Sequence, residues 1–307
     1  MLKQFAREHD DLNNEKGSYN RLSKFLWDRK HLKKVIMTIP YNASSQSMVK
    51  YLSESLVKSH YDEAKKTGWY HDGENKDCLI NYYDIKLLIK TFSFVIKNDF
   101  KKISRLMSYL SQVATLCNKL HIPISWPLPF GLTINQCYFK VNTITISPFS
   151  YIKTKINLQV PSNNLIDKNK QLRGLMPNLI HSLDAHSLTN LYRLFCIKFK
   201  NEEQPPFYSV HDCFGTTCNK VDELKELLRI VYVDLYSDNA YLEKFDAYIM
   251  NHVTAHSNGE WVGRRYTDSD ITYDLIDIDW VLSKKVLHNK IIKKILSQHI
   301  VCSYLSR

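Results

Sequence analysis

A chain of 307 residues, 44% hydrophobic and 12% aromatic, can bury a sizeable core as one large domain or two subdomains, which excludes wholesale disorder. Lysine and arginine outnumber aspartate and glutamate 42 to 31, and the net charge of +11 favours a polyanionic partner, although solvated surface lysine would read the same way. No segment approaches the roughly 18 consecutive apolar residues of a membrane span, and seven scattered cysteines without a C-x-x-C spacing point to a reducing compartment rather than to disulfides or structural zinc.

Met1 to Asn20 is acidic and polar, unlike a secretory or mitochondrial presequence, so the chain is expected to stay where it is made or to begin away from its original N-terminus. Residues 21–120 read as mainly helical. Apolar residues recur at three- to four-residue spacing over Val49–Lys66 and Tyr82–Leu120. Prolines around Trp126 and the run Pro129-Phe130-Gly131 break that pattern. From Leu132 to Val160 the period approaches two, through Ile144 and Ile146 and then Ile156, Leu158 and Val160, on either side of a turn at Ser147-Pro148-Phe149-Ser150. Asn163 to Lys170 reads as a polar loop and Pro177 to Phe199 as a helix. Phe207 to Thr217 then reads as a tight hairpin, Val221 to Tyr236 as an amphipathic helix, and Lys284 to Arg307 as a basic, weakly helical tail.

Two stretches carry chemistry. In Ser209-Val210-His211-Asp212-Cys213-Phe214-Gly215-Thr216 an apolar run ends in a His-Asp pair at a hairpin tip, where little shields the carboxylate from a metal ion. Far upstream, Asp28 is a fitting N-cap for a helix that starts at Arg29. Arg29, Lys33 and Met37 follow at four-residue intervals, drifting about 40° per step, and so share one face. Two cations one turn apart can grip a polyphosphate together, arginine as a fork and lysine as a point charge. Pro40 disfavours helix at Ile39, which delivers Tyr41 just beyond the helix end, and Asn42 tolerates the left-handed exit. Spacing alone leaves a solvated basic helix equally open.

Arg29-x3-Lys33-Lys34-x2-Met37-Thr38-x2-Tyr41 resembles the fingers-helix motif of the single-subunit, bacteriophage- and mitochondrial-type DNA-directed RNA polymerases. Val210-His211-Asp212-Cys213-Phe214-Gly215-Thr216 resembles their second palm carboxylate motif, and Pro177-Asn178-x2-His181-Ser182-x-Asp184 the segment that enters the palm before it. Trp126-x2-Pro129-x-Gly131-x2-Ile134-x-Gln136 is similar to a fourth landmark. The similarity covers roughly residues 20–250, and Pro40-Tyr41-Asn42 in place of Ala-Tyr-Gly brings it nearest to polymerases of mitochondrial linear plasmids.

The resemblance implies a mixed α+β, helix-rich, right-hand architecture. Residues 1–20 would be an N-terminal remnant and 21–130 helical fingers. Residues 131–170 would form a β-hairpin region that reads promoter DNA, 171–250 a palm with its β-hairpin, and 251–307 a basic tail. It also implies roles. Lys33 and Arg29 would hold the incoming ribonucleoside triphosphate, Tyr41 would close its site and sense the ribose, and His181 would touch the nascent pair from the minor groove. Asp212 would bind the catalytic Mg²⁺ with His211 beside it. Cys213 is expected to be a small buried hydrophobe. DNA template and nascent RNA are the expected partners, with no membrane and a mitochondrial location. Arg21, Lys24, Lys30 and Lys34 would extend the nucleic-acid footprint. In the β-rich stretch, Lys153, Asn157 and Gln159 alternate with apolar residues and would present a DNA-reading face, where an ordinary half-buried strand remains open.

The family's first palm carboxylate lies upstream of the fingers helix, and nothing ahead of Arg29 resembles that segment. The chain is therefore expected to correspond to the C-terminal fingers and palm part, weak or silent in templated synthesis unless an upstream polymerase fragment supplies the missing group. The competing readings are a catalytically inactive nucleic-acid- or nucleotide-binding remnant, a DNA polymerase of related architecture, and a metal phosphohydrolase using His181, His211 and Asp212. The last places its His-Asp pair on a helix, whereas here the pair follows a Pro-bounded apolar run.

Overall fold

The computed structural model describes residues 17–25, 27–39, 41, 43–63, 67–147, 155–202, 205–210, 213–237 and 240–282, without the side chains of Tyr19, Asn163 and Asn164. His211, Asp212, Lys153 and the basic tail from 283 onward lie outside the described residues. The architecture is mixed α/β: long helices alternate with small antiparallel sheets, as the order of periodicities implied. The chain divides into two compact units, residues 1–108 and 109–307.

In the first unit, helices α1 (Ser18–Lys24), α2 (Arg29–Thr38) and α3 (Ser45–Glu54) lead into an antiparallel sheet. Its strands β1 (Val57–Asp62), β2 (Thr67–His71) and β3 (Ile80–Asn81) run in that order, and α4 (Tyr82–Asp99) follows. Val35, Met48, Leu52, Ile80, Ile85 and Ile89 form the centre of one buried cluster, so each helix faces the core with the stripe that its spacing dictates. The helix expected over Val49–Lys66 stops at Glu54. Beyond Leu56 the chain pairs with β2, matching Val57 to His71 and His60 to Trp69 across a bulge, and β-branched and aromatic side chains settle better on that ladder than in a helix. Asn81 caps α4 by accepting from the Tyr83 and Asp84 amides, and Asp84 answers by accepting from the Asn81 amide at 2.9 Å.

The helical pattern read as continuous from Tyr82 to Leu120 is broken at Phe100, whose backbone leaves the helical region (φ −107, ψ 52). A second helix, α5 (Lys101–Lys119), resumes there, and its residues from Tyr109 onward belong to the second unit. Strands β4 (Ile124–Pro127) and β5 (Thr133–Gln136) form one hairpin, and β6 (Phe139–Ile146) and β7 (Ile156–Ile166) a longer one. Helix α6 spans Lys168–Lys198. Strand β7 takes the first half of the expected polar loop Asn163–Lys170 and this helix its end, starting nine residues before the expected Pro177, because Asp167 caps it by accepting from the Lys170 amide at 3.0 Å. Burial of Gln171, Leu175, Met176 and Leu179 keeps the helix intact across the proline.

The short hairpin β8 (Tyr208–Val210) and β9 (Cys213–Gly215) comes next, then α7 (Val221–Tyr236) with the predicted bounds and α8 (Ala240–Ala255). A three-stranded sheet, β10 (Glu260–Val262), β11 (Arg265–Thr267) and β12 (Thr272–Asp274), and the short helix α9 (Ile278–Leu282) complete the described chain. Arg264 ties this sheet to the helices through a bidentate pair with the buried Asp246 (2.6 and 2.8 Å). Asp246 also accepts from the Tyr109 hydroxyl at 2.6 Å.

Candidate functional site

Helix α2 begins where the sequence placed it. Asp28 is its N-cap in extended conformation, and the Asp28 amide donates to Nδ1 of the buried His31 at 3.3 Å. His31 and Val35 turn inward, which leaves Arg29, Lys33 and Met37 on the exposed side, Met37 at 53% exposure. The basic residues of this helix are not equivalent. Lys30 lies 3.7 Å from Asp28, and Lys34 lies 3.7 Å from Glu54 with its ammonium 4.4 Å above the Tyr51 ring. Arg29 and Lys33 have no acidic partner among the described residues. After Ile39 the chain turns tightly enough for the Ala43 amide to donate to the Thr38 carbonyl at 3.2 Å, and half-buried Tyr41 sits within that turn.

Of the remaining basic residues in the expected footprint, Lys24 is exposed, whereas Arg21 directs its guanidinium fork at the fully buried Asp84, with both distances 2.7 Å. The fork also lies 5.7 Å from the Trp69 ring. Arg21 therefore anchors α1 to α4. Sequence spacing shows no trace of this, because the two partners are 63 residues apart.

In the second unit, His181 is exposed on α6 and its motif neighbours hold the helix in place. Trp126 is fully buried and donates from Nε1 to Ser182 Oγ at 3.0 Å. Gln136 donates to Gln171 and accepts from Asn178 at 2.8 Å, and Asn178 also donates to the Tyr138 hydroxyl at 2.9 Å. Gly174 is needed where Tyr138 crosses the helix, since an added Cβ would lie 2.8 Å from the ring. Thus two separate sets of buried and half-buried hydrogen bonds tie the landmark around Trp126 and Gln136 to the segment that carries His181. Asp184, one turn on, helps burial push the Tyr236 hydroxyl up to about 12.

The hairpin register pairs Tyr208 with Gly215, Ser209 with Phe214 and Val210 with Cys213, which leaves an interval of two residues, 211 and 212, between the strands. Thr216 clamps its base by donating to the Pro206 carbonyl at 2.6 Å. Phe207 and Phe214 anchor one face on Phe195 of α6 and on α7. The opposite face is open, with Val210 at 69% exposure. Cys213 belongs to that open face and is exposed, which corrects the expectation of a buried hydrophobe: Phe214 takes the inward position, and strand neighbours alternate. Among the described residues no group of three His, Cys, Asp or Glu is arranged to hold a metal ion.

The β6–β7 ribbon alternates as expected, but from Val141 to Ile146 and from Ile156 to Pro161 neither face is covered. Asn157 and Gln159 lie opposite Thr145 and Thr143 on the polar face, and the Thr145 hydroxyl donates to Asn157 Oδ1 at 2.8 Å. On the other face Ile144 pairs with Leu158 and Ile146 with Ile156, all exposed. Over these paired positions the ribbon is exposed on both faces rather than half-buried, and burial resumes at the base of β7 with Ile166.

A helix-rich α/β chain with an exposed cationic helix face, a tyrosine at its exit and a strand hairpin around His211-Asp212 has the elements of a right-hand polymerase in family order. The chain belongs to the DNA-dependent RNA polymerase family, whose model matches residues 3–285. It is 37% identical over 247 residues to a probable DNA-directed RNA polymerase of Podospora anserina, covering 80% of this chain and 25% of that one. It is 30% identical to another from Agaricus bitorquis, over 74% and 20% of the two chains. The mitochondrial DNA-directed RNA polymerase of Mus musculus is 24% identical over 68% of this chain and 16% of its own length. The chain spans about a quarter of the length of these two fungal relatives and of other fungal relatives that it matches.

Proposed function

We propose that this chain serves DNA-templated RNA synthesis, the transfer of nucleotidyl units from ribonucleoside triphosphates to a growing RNA. The observation that carries the proposal is the division of labour on α2. Lys30 and Lys34 have acidic neighbours, while Arg29 and Lys33 stand on the exposed face without one among the described residues, with Tyr41 at the helix exit. In this reading Arg29 and Lys33 grip the triphosphate, Tyr41 closes over the nucleotide and helps to sense the ribose, and His181 contacts the nascent base pair. Lys24, Lys30 and Lys34 meet nucleic-acid phosphate, and Arg21 does so only as far as Asp84 leaves its fork available.

A carboxylate oxygen donor, such as Asp212 would bring between strands β8 and β9, suits Mg²⁺, which keeps few protein ligands beside substrate phosphates. Asp212 would hold it with His211 alongside, and the ion would supply neutralisation of charge on the transferring phosphoryl group. Carboxylates are needed on both sides of a metal pair, so a second one supplied by a further polymerase segment is part of the proposal. The fingers are assigned to 21–130, a promoter-reading ribbon to 131–170 and the palm to 171–250, in a mitochondrial enzyme with template DNA and nascent RNA as partners.

The test is equilibrium binding of Mg-ATP to the 307-residue chain. Lys33→Ala should weaken it about tenfold or more, the usual cost of losing a hydrogen bond to a charged group. Unchanged affinity would remove α2 from the nucleotide site. Where synthesis is reconstituted with an added fragment, Asp212→Asn should abolish it.

A further inference from the structure

A cavity of about 420 Å³ opens in the second unit, walled by Pro127, Leu128, Pro129, Val231, Leu235 and the ring of Tyr241. That size suits a ligand of nucleoside dimensions. None of these residues belongs to the grip on α2 or to the hairpin around Asp212. Four polar side chains line it as well: His186, Asn190, Asp234 and Lys244. His186 is 92% buried (8% exposed), and its Nδ1 is a buried polar atom without a hydrogen-bond partner. Of the buried atoms without a partner among the described residues, it alone belongs to a residue that lines this cavity. The ring is held by stacking on Phe130, with centroids 5.2 Å apart and planes 12° from parallel. Burial lowers its pKa, so the imidazole stays neutral near pH 7, and a ring nitrogen left without a partner in such a place calls for an incoming polar group.

The other three groups set a pattern around it. Asp234 is an anionic acceptor and Lys244 a cationic donor. Asn190 has its carbonyl oxygen committed to Arg193, at 2.9 and 3.2 Å, which leaves the amide N–H₂ as the group it can offer. The complement is a flat ring with two donors on one edge and acceptors on another. Guanine has that pattern: N1–H and the N2 amino group face a carboxylate, while O6 and N7 accept from lysine and amide donors. Adenine would turn its N1 lone pair toward Asp234, and cytosine and uracil each offer the carboxylate a single ring-edge donor group.

We propose that this cavity is a binding site for a free guanine nucleotide, with Asp234 reading the N1–H and N2 edge and Lys244 and Asn190 the O6 and N7 edge. The prolines and Tyr241 sandwich the base, and His186 Nδ1 pairs with a sugar hydroxyl, which can donate or accept. The site is separate from the nucleotide grip proposed on α2 and does not depend on that reading. It would let the chain sense guanine nucleotide without incorporating it.

Isothermal titration of the 307-residue chain with GMP and AMP at fixed ionic strength tests the proposal. GMP should bind saturably with AMP about tenfold weaker or more, since the carboxylate recognises a donor edge that adenine lacks. Asp234→Asn changes an exposed residue with little cost in folding and should erase the preference. His186→Leu should weaken GMP, and where that variant fails to fold, Lys244→Met carries the same test from an exposed position. Excess Mg-ATP should leave GMP in place. Absence of saturation at about 5 mM GMP overturns the proposal. So does equal affinity for AMP, an unchanged preference in Asp234→Asn, or displacement of GMP by Mg-ATP.

Discussion

Replacing Asp246 by alanine removes the acceptor for three hydrogen bonds at once: two from Arg264, at 2.6 and 2.8 Å, and one from Tyr109, at 2.6 Å. What remains is the informative part. The Arg264 side chain, 23% exposed, keeps its 2.7 Å bond to the Ile276 carbonyl but loses its counter-charge. Tyr109 is left with a hydroxyl in a fully buried position. Breaking a buried pair by removing one partner costs roughly 3–5 kcal/mol, and the residual exposure of Arg264 places this case near 3. An orphaned buried hydroxyl adds about 1 kcal/mol. A loss of about 4 kcal/mol against a domain stability of about 5–15 is severe. Urea unfolding followed by circular dichroism should show the midpoint falling by about 1–2 M, for a slope of about 2–3 kcal/mol per M. Tyr109→Phe alone should cost about 1 kcal/mol or less. Replacing Asp246 and Arg264 together by leucine should recover most of the loss, because the uncompensated charge is gone. A shift below about 0.5 kcal/mol in Asp246→Ala, the range of an ordinary surface change, would refute the claim that this cluster fastens the C-terminal sheet.

Gly174→Ala should destabilise by about 1–3 kcal/mol, since its Cβ would meet the Tyr138 ring that steadies Asn178, and thermal unfolding measures it. Stability should fall as pH drops through the ordinary histidine range. Burial lowers the pKa values of His186 and His252, so their stabilising contribution is present above about 6.5 and is lost as acid protonates the unfolded chain first. A flat urea midpoint between pH 7 and 5 would contradict that sign. DNA affinity should drop steeply between about 50 and 200 mM salt, and a near-flat dependence would mean that the +11 charge is only solvated. With a reconstituted polymerase, Asn157→Ala and Gln159→Ala together should relax promoter preference while leaving non-specific binding intact. Gln159 is expected to contribute more, because Asn157 Oδ1 is already engaged by Thr145.

Local sequence was sufficient where a segment's neighbours in space are also its neighbours in the chain. The bounds of α7 follow from the stripe of Leu224, Val231 and Leu235, the start of α2 from Asp28, and the β8–β9 hairpin from the apolar run that Gly215 closes. The exposed face of Arg29, Lys33 and Met37 was equally legible, because helix periodicity alone separates it from Val35. Tertiary structure decided the rest. Glu54 ends α3 because β2 offers a ladder beyond it, and Asp167 rather than Pro177 starts α6 because Gln171 and Leu175 find a buried lattice to join. Arg21 is an anchor only because Asp84, 63 residues away, is buried within reach of its fork. The apolar face of β6–β7 stays exposed although its alternation reads as a core strand. Period two states which residues share a face, and only the packing of the whole chain determines whether anything covers it.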